Sequence, residues 1–207
     1  MPAARSLHLV VPGLLGPVTD PDTVARISPR MPALERLLGR ATVSEGGETH
    51  AEACILAACG IRMSPAPVAA IARLGEPDAP ALATRDWWLR VDPVHLRVDM
   101  NQARLFGPHA LKLQAEHARG LVARLNEHLA DDGLSIEAPV PHRWYLRFSE
   151  PPDLETHSLA EVSGRNVHLF MPTGGDSARW RSWLTEVQML LHTHRKMPSV
   201  NGQGSCR

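Results

Sequence analysis

Apolar and polar residues alternate in two short segments near the middle of the chain. The tetrapeptide Leu-Arg-Val-Asp occurs at Leu89–Asp92 and again at Leu96–Asp99. In each copy Leu and Val fall on one face and Arg and Asp on the other, which is the period of a half-buried strand. Pro93 separates the copies, because proline has no N–H to donate to a ladder. The pattern predicts two strands, each with one apolar face.

A helical period replaces the alternation after Gly107-Pro108. Apolar residues recur there at three- and four-residue spacing, and Gly133 suits the left-handed position that ends many helices. Alternation returns in Leu134–Val140 and His142–Phe148, which predict two more strands. Residues 81–150 are therefore predicted to form a β-β-α-β-β unit. The helical stripe consists of Ala110, Leu111, Ala118, Leu121, Val122, Leu125 and Leu129.

The flanking segments predict an α/β core around this α+β unit. Leu7–Val11 is a nearly continuous apolar run, as in a buried first strand. Residues 1–80 are assigned to the N-terminal part of the core, 151–194 to a return strand and helix, and 195–207 to a disordered tail. Helices are predicted at Met31–Ala41, Ala51–Cys59, Ser64–Ala72 and Ser177–His192, with Asp176 as the N-cap of the last, and a strand at Asn166–Met171.

Charge and hydropathy exclude two classes of partner. Lys plus Arg and Asp plus Glu number 22 each, so the formal net charge is zero and no basic stripe indicates nucleic-acid binding. The longest apolar run, near Leu7–Leu15, is too short to span a bilayer and lacks the layout of a signal peptide. We therefore expect a cytoplasmic protein that binds neither nucleic acid nor membranes.

Motifs of familiar chemistry are missing from the sequence. It contains neither GxxxxGK[ST] nor GxGxxG for phosphate, and no GxSxG nucleophile elbow. Asp92, His95 and Asp99 lie close enough in sequence to approach one another across the strand pair, and His142 is a further candidate. These residues either form a catalytic or metal-binding site or are solvated polar groups at a strand edge. No cofactor is expected in the second case.

Six segments spread over roughly residues 7 to 194 carry a resemblance to a known family. They are LHLVVPGLLGP, MPALERLLGRA, WWLRVDPVHLRVDM, LVARLNEHL, HRWYLRF and WLTEVQMLLHTH. Together they resemble a bacterial family labelled phosphoglycerate mutase or pathogenicity-factor regulatory protein. That family is similar to the archaeal-type cofactor-independent phosphoglycerate mutases of the alkaline phosphatase superfamily. The resemblance implies a partial alkaline-phosphatase-like core, with the β-β-α-β-β unit inserted between its halves.

The sequence departs from this family where the mutases carry their catalysis. Their first strand ends in Asp-Gly, whose Asp binds metal, whereas this chain has Pro12-Gly13. Met31–Glu35 lacks the polar residues of the corresponding mutase segment, and Glu52–Ser64 offers no Gly- and Asp-rich loop with a catalytic Ser. The family's further C-terminal segment is not recognisable after Arg195. We therefore expect a truncated or frameshifted member that exposes an apolar face.

Three functions stay open from the sequence. The first is a phosphoglycerate-mutase-like protein without catalytic activity. The second is a regulatory or protein-interaction module, which binds a partner protein or a second copy through the exposed face. The third is a metal-dependent phosphoryl-transfer enzyme that interconverts 2- and 3-phosphoglycerate at a site around Asp92, His95, Asp99 and His142.

Overall fold

The computed structural model describes residues 7, 9–11, 31–42, 51–63, 66–79, 86–99 and 102–196, without the side chains of residues 99 and 193–196. The chain divides into two compact units, Met1–Val68 and Ala69–Arg207. Helices and strands are mixed, so the protein belongs to the α+β class. No helix among the described residues is long and apolar enough to cross a membrane.

The N-terminal unit contains two of the predicted helices, α1 (Pro32–Leu38) and α2 (Ala51–Ala58). Pro32 begins α1, where a missing N–H is harmless, and Gly60 follows α2 with a positive φ. The buried first strand predicted at Leu7–Val11 is wrong for the described residues of that segment. Residues 7 and 9–11 belong to no strand, and the Leu7 side chain is 91 % exposed. An apolar run becomes a buried strand only where neighbouring strands pair with it.

The sheet of the C-terminal unit has three antiparallel strands, β1 (Trp87–Arg90), β4 (Ser135–Val140) and β5 (Arg143–Phe148). Their order in the sheet is β1-β5-β4. The order makes β5 the central strand, with β1 and β4 on either side of it. The strands predicted at residues 134–140 and 142–148 are therefore confirmed.

The two Leu-Arg-Val-Asp segments belong to different sheets, contrary to the predicted strand pair. The first lies in and just after β1, whereas the second lies in β2 (His95–Asp99). β2 forms a separate hairpin with β3 (Gln102–Phe106), an element that the sequence pattern did not reveal. Asp92-Pro93 interrupts the ladder, so that β1 and β2 take different partners.

The central helix is shorter than its sequence pattern indicated. Residues Pro108–Ala110 form a 3₁₀ turn, and α4 (Ala115–Leu129) begins after it. A second 3₁₀ turn then leads to Gly133, whose φ of 69° confirms the predicted left-handed position. A helix α3 (Val68–Leu74) precedes the sheet, and its start is displaced by four residues from the predicted Ser64.

Two short helices and one long one complete the C-terminal unit. Helix α5 (Leu159–Val162) begins with a capping box between Ser158 and Glu161. The strand predicted at Asn166–Met171 is wrong, because the Asn166 side chain accepts a hydrogen bond from the His168 N–H and starts a 3₁₀ turn. The final helix, α6 (Ser177–Lys196), confirms the prediction and extends beyond it. The predicted disordered tail lies, from residue 197 onward, outside the described residues.

Asp153 anchors the start of α6 to the segment that follows β5. Its main-chain N–H donates to the Asp176 carboxylate, and its own carboxylate accepts from the Gly175 N–H at 3.0 Å. Gly174 has a φ of 105°, and a Cβ there would lie 2.4 Å from the Asp153 carbonyl oxygen. Only glycine fits this turn, which explains the Gly-Gly pair before the helix.

The hydrophobic core lies between the sheet and the two longest helices. Trp144, Leu146 and Phe148 of β5 share one face and are buried, as their alternation predicted. Leu125 of α4 is 2 % exposed, and Trp180 of α6 packs against the same cluster. The apolar stripes of both helices are thus explained by one contact surface on the sheet.

Leu125→Ala tests this arrangement. Deleting a fully enclosed leucine side chain removes buried apolar contacts and leaves a cavity, so we expect the free energy of unfolding to fall by about 2–5 kcal/mol. Urea denaturation followed by tryptophan fluorescence measures this unit alone, because all five Trp residues lie between positions 87 and 183. Leu169→Ala is the control, since Leu169 is 73 % exposed. Equal unfolding midpoints for the two variants would contradict the described core.

Candidate functional site

The sequence-predicted site residues lie apart from one another. The Asp92 carboxylate receives hydrogen bonds from Arg90, at 3.1 and 2.5 Å, and from the Trp144 main-chain N–H at 2.9 Å. Asp92 therefore ties the end of β1 to β5. His95 lies in the separate β2–β3 hairpin, where its ring contacts Phe106.

The other two candidates are also separated. His142 lies in the turn before β5, and its ring contacts that of His109 at an angle of 43°, with the ring centroids 5.7 Å apart. Asp99 ends β2, and its side chain is outside the described part. Over the side chains that the structure describes, no three His, Cys, Asp or Glu residues converge on a possible metal position. The structure thus assigns Asp92 a structural contact with Arg90 and the Trp144 main chain.

A buried charged network covers the face of the sheet opposite the core. Its centre is Tyr145 of β5, which is 0 % exposed although its neighbours on that face are arginines. The Tyr145 hydroxyl donates to Glu76 Oε1 at 2.8 Å. Arg143 donates to the same carboxylate through Nε at 2.5 Å and Nη2 at 2.7 Å, a two-point contact. Glu76 is 8 % exposed, so it is a nearly buried anion whose charge is paired.

Arg73 of α3 extends this network to β4. Its Nε donates to Glu137 at 2.8 Å, and its Nη2 donates to the Asp78 carbonyl oxygen at 3.1 Å. Asp78 adopts a positive φ of 58°, a conformation that Asp tolerates better than most residues. Arg73 Nη1 has no hydrogen-bond partner, but the guanidinium carbon lies 6.0 Å from the ring centroids of both Trp88 and Tyr145. Aromatic faces therefore surround this 6 % exposed cation.

The network lowers the pKa of Glu76 and raises the pKa of Tyr145. Hydrogen bonding from Arg143 lowers the pKa of the Glu76 carboxyl below its usual 4.5, against the burial that would raise it. Burial, followed by the hydrogen bond to Glu76, raises the pKa of Tyr145 to about 12. At neutral pH Glu76 is therefore an anion and Tyr145 is neutral. Because each group is held by partners inside the fold, the network stabilises the sheet and offers no free acid or base.

A cleft of about 230 Å³ lies where the end of α4 meets the start of α6. Trp180 and Trp183 are among its lining residues, and their rings meet edge to face. Asp132 accepts hydrogen bonds from Arg179 Nη2 and from Trp183 Nε1, both at 3.1 Å. Arg179 also lies 4.5 Å above the Trp183 ring. These polar groups pair with each other across the cleft.

The C-terminal unit also has a strand edge without a partner among the described residues. Among the described residues, β2 pairs only with β3, and we call its outer side, residues His95–Asp99, the β2 edge. β3 is contacted on its other side, where Leu105 pairs with Ser163. Val98 on the β2 edge is 75 % exposed, and Leu96 is 37 % exposed.

The outer side of β4, which we call the β4 edge, is partly covered by a side chain of α4. Asn126 of α4 donates from Nδ2 to the Ile136 carbonyl oxygen at 2.9 Å and accepts from the Ile136 N–H at 2.6 Å. This side chain satisfies one main-chain donor and one acceptor that would otherwise be open to another strand. No described residue does the same for β2. Sequence reasoning missed the β2 edge because it did not detect β3, although the alternation of Leu96 and Val98 was visible.

Comparison with protein-family models, with curated proteins and with solved structures finds no match to this chain. The resemblance to the phosphoglycerate-mutase-like family therefore stays a prediction from the sequence.

Tyrosinate absorbance provides a direct test of the charged network, because Tyr145 is the only tyrosine in the chain. We expect a titration midpoint of about 12 in the native protein. In the urea-unfolded protein the midpoint should be near the ordinary value of 10. The raised pKa means that the contribution of Tyr145 to stability is complete below the unfolded pKa and is lost as the pH rises through the folded pKa.

Glu76→Gln is the matched variant for this titration. It removes a negative neighbour that raises the pKa of Tyr145 but leaves the burial, so the midpoint should fall without reaching the unfolded value. Native tryptophan fluorescence, recorded in parallel, identifies the pH range in which the protein is folded. A wild-type midpoint near the ordinary value while that fluorescence persists would contradict the buried position of Tyr145.

Proposed function

We propose that this chain is a noncatalytic protein of the phosphoglycerate-mutase-like type that acts by binding another protein. The observation that carries the proposal is the β2 edge, where β2 pairs with β3 on one side, has no described partner on the other, and carries an exposed Val98 and a partly exposed Leu96. Strand edges of this kind accept an extended segment of another chain as an additional strand.

The absence of catalysis is supported by the residues at positions that the mutases use. Pro12 stands where the resemblance places a metal-binding Asp, and no Ser-containing loop is recognisable in Glu52–Ser64. Metal-dependent phosphoryl transfer requires ions that activate the nucleophile and neutralise the developing charge. The ionised groups described at the C-terminal sheet add no alternative, because Asp92 and Glu76 are both held by arginines.

The binding role is supported by the contrast between two strand edges of one unit. Asn126 closes part of the β4 edge with two hydrogen bonds, whereas the β2 edge keeps its main-chain groups open among the described residues. Apolar side chains on an open edge favour association, because pairing removes both the apolar surface and the unpaired groups from water. An interaction module therefore explains this feature better than an enzyme does.

The catalytic part of the proposal is tested by assaying the purified protein for interconversion of 2- and 3-phosphoglycerate, and for phosphatase activity, with added manganese or zinc. We expect no turnover above the protein-free control, because no metal-activated nucleophile is supplied. Turnover that a chelator abolishes would overturn this part. Alanine at Asp92 or His142 would then identify whether those residues contribute.

The binding part is tested by placing a photo-cross-linking amino acid at position 98 or at position 169. Val98 and Leu169 are 75 % and 73 % exposed, so the two positions are equally accessible, but only Val98 lies on an open strand edge. We expect a discrete cross-linked protein adduct from position 98 in cells and none from position 169. Equal adduct patterns at both positions would contradict a specific binding role for the β2 edge.

A further inference from the structure

The β2–β3 hairpin has two chemically different faces. Directly paired residues share a face, and Leu96 pairs with Leu105 while Val98 pairs with Ala103. This face is apolar. The opposite face carries three other directly paired sets: His95 with Phe106, Arg97 with Arg104, and Asp99 with Gln102.

Arg97 and Arg104 are the unusual pair on the polar face. Two like charges directly opposite each other in an antiparallel ladder destabilise the hairpin. Within the described residues neither guanidinium takes part in an ion pair or a hydrogen bond. The other register positions on this face supply a single carboxylate, Asp99, two residues from Arg97 along β2, against the two guanidinium groups. The face therefore keeps excess positive charge at its centre, at a cost to local stability.

This charge disfavours a second copy of the chain as the occupant of the β2 edge. Two β2 strands that paired in antiparallel fashion about their centres would place Arg97 against Arg97. A charged residue in the middle of an edge strand is a known way to prevent pairing between copies. A negatively charged side chain at the same position would instead be attracted.

We propose that the β2 edge binds an extended segment of a partner protein in which acidic residues alternate with apolar residues. This inference rests on the proposed function and names the chemistry of the partner. A strand added beside β2 lies about 4.8 Å away, and its side chains alternate between the two faces. Its apolar residues then cover Leu96 and Val98, and its acidic residues meet Arg97.

The two arginines lie at different distances from a strand added beside β2, so they contribute differently to its binding. Arg97 is on the strand that the partner segment contacts, whereas Arg104 is one strand further, roughly 10 Å from the added strand. That distance is about one Debye length at physiological salt, so attraction to Arg104 is largely screened. Arg97 thus contributes more to binding than Arg104 does, although both carry the same charge.

The test uses a dye-labelled peptide of roughly seven residues, the usual length of a strand, in which Val alternates with Glu. Fluorescence anisotropy measures its binding to the full chain. Two peptides of equal length are controls: Val alternating with Lys, and Ser alternating with Glu. We expect binding of the Val-Glu peptide only, and weaker binding as salt is added.

Charge reversal at the hairpin provides the decisive variants. Arg97→Glu should weaken binding of the Val-Glu peptide at least tenfold and permit binding of the Val-Lys peptide, whereas Arg104→Glu should weaken it only two- to threefold. Arg97→Glu also removes the like-charge pair, so its unfolding midpoint in urea should equal or exceed that of the wild type. Reversal of Arg119, an exposed residue of α4, is the matched control and should change neither quantity.

Several results would overturn the inference. They are no binding of the Val-Glu peptide, equal binding of the Ser-Glu peptide, or equal effects of Arg97→Glu and Arg104→Glu, since the last two indicate a general cationic patch. Failure here is distinguishable from failure of the proposed function. A specific adduct at position 98 with no Val-Glu binding leaves the binding role intact and refutes only the acidic, alternating partner.

Discussion

The contact between Glu76 and β5 is the interaction on which the C-terminal unit depends. The carboxylate joins the turn after α3 to the central strand through Arg143 and Tyr145, at 2.5 to 2.8 Å. Without this anion, the buried Tyr145 hydroxyl would lose its hydrogen-bond acceptor and Arg143 would lose its counter-charge, whereas Arg73 and Arg90 would keep Glu137 and Asp92. The tyrosine at the centre of this face is therefore buried with its hydroxyl satisfied by an acidic residue 69 positions away in the chain.

The sequence patterns predicted the elements whose faces are set locally. Alternation in Arg143–Phe148 and the apolar stripe of Ala115–Leu129 predict which side of each element meets the core, because both depend only on spacing. Alternation does not specify a partner strand, so the pairing of β1 with β5 could not be derived. Alternation places Tyr145 on the face that it shares with Arg143 and Arg147, but it cannot show that Tyr145 is buried there, because its partner Glu76 is 69 residues away in the chain.

The candidate site was predicted only in part. Asp92 and His95 are close in sequence, but Pro93 sends the chain into a different sheet, and the two side chains have unrelated contacts. The open β2 edge is a result of strand pairing: β3 pairs with one side of β2, and no described residue covers the other side as Asn126 covers β4. The identities of Leu96 and Val98 do not predict this pairing. The chemistry of the two faces of β2 can be derived from the sequence alone. Arg97 lies between Leu96 and Val98, so alternation puts a cation on one face and apolar side chains on the other.

The strand order β1-β5-β4 also has a consequence for assembly on the ribosome. Arg90 and Tyr145 are paired partners separated by 55 positions, so β1 is synthesised 55 residues before the strand with which it pairs. Trp87 and Trp88 of β1 have no partner strand while the β2–β3 hairpin, α4 and β4 are synthesised. Long-range strand pairing of this kind is slow, and the unpaired strands and exposed apolar surface make incompletely folded chains prone to aggregation. The three-stranded sheet of this unit thus cannot form during synthesis until β5 has emerged, because β5 is the strand that joins β1 to β4.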